Sequence, residues 1–236
     1  TAQSDILLHN LALFGVRPDD IDAVVLSHGH YDHTGGLKAL LQLRTKPVDV
    51  FVGEHVFAER FSVREGSREY IGVPQPAVAL ETAGARFHAV ATPLELWPGL
   101  WLSGPIPQTR SFETGVASLV DGSGQADCFA DELALYGLAA SGLVAVTGCA
   151  HRGIVNIVDY GLQVTGAARV GAIVGGTHLG PASAAQKAAT IEQLLRWQPA
   201  LVAANHCTGL EVMAELAAQL GKAVFVAAAA GTVLEI

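Results

Sequence analysis

Ala23-Val24-Val25-Leu26-Ser27-His28-Gly29-His30-Tyr31-Asp32-His33-Thr34-Gly35-Gly36 is the most informative stretch of the chain. Its first four residues are a short apolar run bounded by polar ones, as in a buried strand. Four side chains of metal-ligand type then follow within six positions. Imidazole nitrogen and carboxylate oxygen suit zinc, manganese or iron. In a tight loop, residues i and i+2 can point to one side, so His28 and His30 can share one ion. Asp32 and His33 lie further along the turn and can face a second. Two ions roughly 3.5–4 Å apart can hold a bridging hydroxide and polarise a substrate oxygen. Metal binding also lowers the pKa of water to near 7, which supplies a nucleophile without a strong base. Gly29, Gly35 and Gly36 let the backbone bend tightly. The competing reading, a solvated polar turn, explains less of this density.

Further along, three more apolar runs end in the same manner. Leu143 to Thr147 leads to Gly148-Cys149-Ala150-His151, and Val170 to Val174 leads to Gly175-Gly176-Thr177-His178. Leu201 to Ala204 leads to Asn205-His206-Cys207-Thr208-Gly209. Loops at strand C-termini are where α/β folds place their sites. His151 and His206 are the next candidate ligands; the alternative is a histidine at a helix start, bonded to backbone. His178 reads as a ligand or as an acid or base acting behind one. Asp32 and His178 are the catalytic candidates. His9, His55 and His88 lie in ordinary helical or apolar contexts and read as structural. Cys149 and Cys207 read as small buried residues, with thiolate ligation the lesser alternative. Asp131-Glu132, ahead of Leu133-Ala134-Leu135, reads as a turn pair. Arg110 reads as a surface residue, with phosphate or carboxylate binding as its alternative.

The pattern predicts helices at Ser4 to Phe14 (capped by Ser4), Leu37 to Leu43, Ile154 to Val164, Ser183 to Trp197 and Leu210 to Leu220. Further strands are predicted at Val48 to Val52 and near Val224 and Val233, and residues 66–124 read as loops and short strands, for example Arg86 to Ala91 and Leu100 to Ser103. Strands alternating with helices make an α/β fold, read as a single domain over 1–236. With 50% hydrophobic and 15% charged residues, the 236-residue chain can bury a sizeable core. A net charge of −8 disfavours nucleic acid as partner. No apolar run approaches a membrane span, and the start lacks the pattern of a signal peptide. Three cysteines without CxxC spacing argue against a disulfide framework and for a cytoplasmic protein.

The run His28-Gly29-His30-Tyr31-Asp32-His33-Thr34-Gly35-Gly36 resembles the signature of the metallo-β-lactamase fold superfamily. Ser103-Gly104-Pro105-Ile106-Pro107, Thr147-Gly148-Cys149-Ala150-His151-Arg152-Gly153-Ile154-Val155-Asn156, Gly175-Gly176-Thr177-His178-Leu179 and His206-Cys207-Thr208-Gly209 follow in the order found in one branch. That branch is the 7,8-dihydropterin-6-methyl-4-(β-D-ribofuranosyl)aminobenzene-5′-phosphate synthase-like proteins. The resemblance implies an αββα sandwich with a dinuclear site of two divalent ions, zinc first and manganese or iron as alternatives. His28 and His30 would then bind one ion, completed by His151, and Asp32 and His33 the other, completed by His206. It implies a metal-dependent hydrolase using a metal-bound hydroxide, or a synthase-like transferase, acting on a small molecule that the branch makes a phosphorylated one. An iron-dependent oxidoreductase and a non-catalytic metal-binding sensor module are the alternatives. Two departures stand out. Thr1-Ala2-Gln3-Ser4 falls where the family has an Asp-Thr-Gly turn, so the first strands are expected to be missing. The superfamily's frequent bridging Asp is replaced in Thr147-Gly148-Cys149, which leaves Cys149, His151 and Asp131 as substitutes.

Overall fold

The computed structural model describes residues 3–236, so the expected turn at Thr1-Ala2-Gln3-Ser4 lies partly outside the described residues. The chain divides into two compact units, Thr1–Ala91 with Ala117–Asp131, and Thr92–Val116 with Glu132–Ile236.

In the first unit the strands are β1 (Ala23–Val25), β2 (Val48–Val52), β3 (Arg60–Arg64), β4 (Ser67–Tyr70) and β5 (Ala85–Ala89). β1, β2 and β5 form a parallel sheet in that order. In β2, Val48, Val50 and Val52 are buried and alternate with less buried residues, the period-2 pattern of a strand with one face on a core. Three of the unit's helices are α1 (Ile6–Leu13), α2 (Tyr31–Thr34) and α3 (Leu37–Leu43). The fourth is α4 (Ala77–Thr82). Leu37, Leu40 and Leu41 of α3 join Leu26, Val50 and Leu80 in one apolar cluster, with Leu7, Leu8 and Leu11 packed against it. α1 is shorter than the sequence predicts. Ser4 is outside it, and Asp5 holds the cap position without a side-chain bond to the first turn.

The second unit carries β6 (Leu94–Trp97) and β7 (Leu100–Leu102), whereas β8 (Leu119–Asp121) returns to the first unit. There β8 pairs antiparallel with β3, which also pairs with β4. The sequence reading assigned no element to β3 and did not single out β4 or β8 within the loops and short strands of residues 66–124. β4 shows why: all four of its residues are exposed, so the ladder with β3 forms it without any apolar period to announce it.

The second unit continues with β9 (Leu135–Ala139), β10 (Gly142–Thr147), β11 (Val170–Gly176), β12 (Leu201–Asn205) and β13 (Phe225–Ala227). These join β6 and β7 in a seven-stranded sheet, ordered β13-β12-β11-β10-β9-β7-β6. β10 to β13 are parallel, and β9, β7 and β6 are antiparallel. Its helices are α5 (Ile154–Thr165), α6 (Ala184–Trp197) and α7 (Leu210–Leu220). Ser183 caps α6 as predicted, its hydroxyl accepting from Gln186 N at 3.2 Å. Tyr136 is wholly buried and donates to Ile157 O at 2.8 Å, which satisfies its one polar atom inside the core. The expected strand near Val233 does not form; Val233 is 87% exposed and pairs with no strand. The architecture is mixed α/β, as read. No helix among the described residues is long and apolar enough to cross a membrane.

Candidate metal centre

In the first unit, the loop after β1 gathers His28, His30, Asp32 and His33. His28 is fully buried and His30 nearly so. His28 Nε2 lies 3.1 Å from His30 Nδ1, and the His28 ring centroid is 4.2 Å from that of His33. Ser27 Oγ lies 3.1 Å from His28 Nδ1 and 3.4 Å from His33 Nδ1, so one hydroxyl orients two rings. Asp32 Oδ2 is 3.4 Å from His33 Nε2. The sequence suggested one continuous tight turn. Instead Asp32 and His33 stand on the single helical turn α2, which begins right after His30; Thr34 Oγ1 donates back to His30 O at 2.8 Å. Phe129 closes the apolar side, its ring 5.4 Å from that of His30.

The loop is anchored from below by charges that the sequence did not announce. Gly29 N donates to Asp131 Oδ2 at 2.8 Å, and Arg60 Nη2 donates to Asp131 Oδ1 at 2.6 Å. Arg60 Nε also donates to Asp127 Oδ2 at 2.7 Å, and Arg60 Nη1 to Val56 O at 3.2 Å. A Cβ at position 29 would meet Val56 O at 2.0 Å, so only glycine lets the loop sit this close. Asp131 is thus no surface turn residue but a buried carboxylate. Burial pushes it up to about 6 even though Arg60 pulls it down, so it is ionised at neutral pH.

In the second unit the loops after β10, β11 and β12 carry His151, His178 and His206. The rings of His151 and His178 are 4.1 Å apart. Three non-glycine residues here, Ala150, His178 and His206, have φ of 64°, 51° and 52°. Each costs of order 1–3 kcal/mol, and such strain persists only where surrounding bonds enforce it. Those bonds are present. Thr177 N and Oγ1 reach Thr208 Oγ1 at 3.2 and 3.0 Å, and His178 N donates to Cys207 Sγ at 3.3 Å. Cys207 Sγ also lies 3.4 Å from Cys149 O. Glu132, read from sequence as the second half of a turn pair, is buried and accepts from His151 N at 2.8 Å and Arg152 N at 2.6 Å. Cys149 Sγ lies within 4.8 Å of a ring nitrogen of His151 and of one of His206.

Burial lowers His178 to about 4, with the nearby His206 adding to the effect, so His178 is neutral at pH 7. The Cys207 thiol is held below its usual range, first by its hydrogen bond with Cys149. Imidazole nitrogen and cysteine sulfur suit a divalent ion of borderline softness, so a donor set of His151, His206 and Cys149 fits zinc or iron. The other calls on the sequence resolve simply. His9 is exposed on α1, and His88 stacks on Phe51 and meets Asp49 at 2.8 Å. Arg110 donates to Asp159 Oδ2 from Nε at 2.8 Å.

Comparison with known proteins gives this geometry a context. The family model of the metallo-beta-lactamase superfamily matches residues 1–110. The 7,8-dihydropterin-6-methyl-4-(beta-D-ribofuranosyl)-aminobenzene-5′-phosphate synthase of Methanocaldococcus jannaschii is 30% identical over 213 residues, covering 87% of this chain and 72% of its own length. An uncharacterized protein of the same organism is 28% identical over 211 residues, covering 89% of this chain and 77% of its own. Among solved structures, a metal-dependent hydrolase of the beta-lactamase superfamily aligns with a TM-score of 0.84 and 26% identity, over 100% of this chain and 87% of the other.

Proposed function

This chain belongs to the metallo-β-lactamase superfamily, in the branch of the dihydropterin ribofuranosyl-aminobenzene phosphate synthase, and on that basis we propose that it is a hydrolase working through two divalent ions. That it is a metal-dependent enzyme of this fold follows from the family. The observation that carries the finer reading is the buried His28–His30 pair, held at 3.1 Å by a loop whose backbone is fixed by an ionised carboxylate. We assign His28 and His30 to one ion and Asp32 and His33 to another, with His151 and His206 as the metal-ligand candidates of the second unit and zinc the first choice. When bound, such ions activate water and polarise a substrate oxygen. The chain's own residues do the rest. Ser27 sets the ring orientations of His28 and His33. Glu132 fixes the backbone that presents His151. His178, neutral at working pH, can accept a proton or a hydrogen bond but has none to give as an imidazolium. The substrate in this reading is a small ester or phosphoester, and three cysteines without CxxC spacing go with a reducing cytoplasm.

A transferase reading is favoured by one observation, the 30% identity to a synthase. Elemental analysis of the purified protein, with turnover on a panel of phosphoesters, lactones and thioesters, separates these outcomes. Hydrolysis with two ions per chain supports the hydrolase. Condensation of a dihydropterin with an aminobenzene ribosyl phosphate, without hydrolysis of the panel, supports the transferase. Metal-dependent oxygen consumption would replace both with a redox enzyme. Replacing His28 and His30 together by Ala is expected to remove one ion; unchanged metal content would refute the assignment.

A further inference from the structure

We infer that Cys149 is itself a metal ligand, a thiolate standing between His151 and His206; this rests on the metal-centre reading above. The second unit alone carries the argument. Cys149 is buried at the tip of β10, on the same loop as His151. Its sulfur lies within 4.8 Å of ring nitrogens on both His151 and His206, two residues that come from different strand ends. At a tetrahedral ion the sulfur and nitrogen donors stand about 3.6 Å apart, so a side-chain shift of about 1 Å brings Cys149 and either histidine onto one ion. No other cysteine is placed this way. Cys128 is exposed and belongs to the first unit. Cys207 Sγ is engaged by the His178 backbone N–H at 3.3 Å and sits against Cys149 O at 3.4 Å. It is placed to support the loop.

The chemistry follows from the donor. A thiolate is softer than a carboxylate and favours zinc or iron over magnesium, calcium or manganese.

The test is cobalt substitution. Co²⁺ is titrated into metal-free protein while near-ultraviolet absorption and cobalt content are followed. Wild-type protein is expected to show a sulfur-to-cobalt charge-transfer band. The band should persist in Cys207→Ser and Cys128→Ser and vanish in Cys149→Ser. Cys149→Asp is expected to bind cobalt without the band. Should Cys149→Ser fail to fold, wild type and the other two serine variants still decide: loss of the band in Cys207→Ser or Cys128→Ser overturns the inference. Cobalt bound by wild type at full stoichiometry with no charge-transfer band overturns the inference and leaves the metal-centre reading standing. No cobalt or zinc bound by wild type overturns both.

Discussion

Replacing Asp131 tests the central claim about how the metal loop is held. Its carboxylate is fully buried and makes two bonds that nothing else among the described residues replaces, one from Gly29 N at 2.8 Å and one from Arg60 Nη2 at 2.6 Å. In Asp131→Ala, Arg60 keeps Asp127 but loses half of its charge compensation in a site from which water is excluded. Removing one partner of a buried ion pair costs about 3–5 kcal/mol. A bare buried N–H at Gly29 adds about 1–3 kcal/mol, part of which overlaps with the first figure. A loss of about 4 kcal/mol is expected for the alanine variant, which is a large share of the roughly 5–15 kcal/mol that holds a typical domain folded. Asp131→Asn keeps an oxygen for Gly29 but sets an amide NH2 against Arg60 in place of the charged oxygen; with the Gly29 N–H still satisfied and no cavity left, it should cost less than alanine.

The assay is urea unfolding of the metal-free protein at pH 7, where Asp131 is ionised. With a slope near 3 kcal/mol/M, the alanine variant's midpoint should fall by more than ~1 M. A double-mutant cycle with Arg60→Met should give a coupling of at least about 1 kcal/mol. Metal content gives the second readout: Asp131→Asn, if folded, should bind its first ion more weakly, because the backbone carrying His28 and His30 is freed. Costs under about 1 kcal/mol for both variants, with metal affinity unchanged, would show that Arg60 and Asp131 do not hold the loop.

Two titrations give predictions of opposite sign. His178 is lowered to about 4 from an ordinary 6.5, so the unfolded chain binds its proton first as pH falls. Its contribution to stability is present above pH 6.5 and lost towards pH 4, up to about 3 kcal/mol, and His178→Gln should remove this pH dependence in the metal-free protein. Glu113 is buried and accepts from Val155 N and Asn156 N, both at 2.7 Å, and burial raises it to about 7 from an ordinary 4.5. Its contribution is present below pH 4.5 and lost as pH rises to 7. The stability difference between wild type and Glu113→Gln should therefore fall by up to about 3 kcal/mol across that window. A flat difference would show that Glu113 is not desolvated.

What the sequence made legible follows the distance over which the information acts. His28, His30, Asp32 and His33 were readable because four donors in six positions are a local pattern and the strand before them is an apolar run. The strand-end histidines at 151, 178 and 206 were readable for the same reason, each preceded by its own buried strand. Helix α6 was readable from a single capping serine and its periodic apolar face. The buttress was not. Arg60 lies 71 residues from Asp131, and Asp131 lies 102 from Gly29, so the network exists only after the chain has folded. Arg60 sits in a strand of mixed sequence, Arg60-Phe61-Ser62-Val63-Arg64, where nothing marks it as buried. Asp131 and Glu132 did leave a trace, a carboxylate pair directly ahead of an apolar run, but as neighbours they read as one solvated turn. In the fold they part: Asp131 serves Gly29 in the first unit and Glu132 serves His151 in the second. The same two-residue step thus fixes the backbone of both histidine loops, each through its own charge-assisted bonds. Such a pair of acids, buried because backbone N–H groups meet them, is the signal that would have separated a supporting carboxylate from a metal-binding one. Both oxygens of Asp131 already accept from donors, Oδ2 from Gly29 N and Oδ1 from Arg60 Nη2.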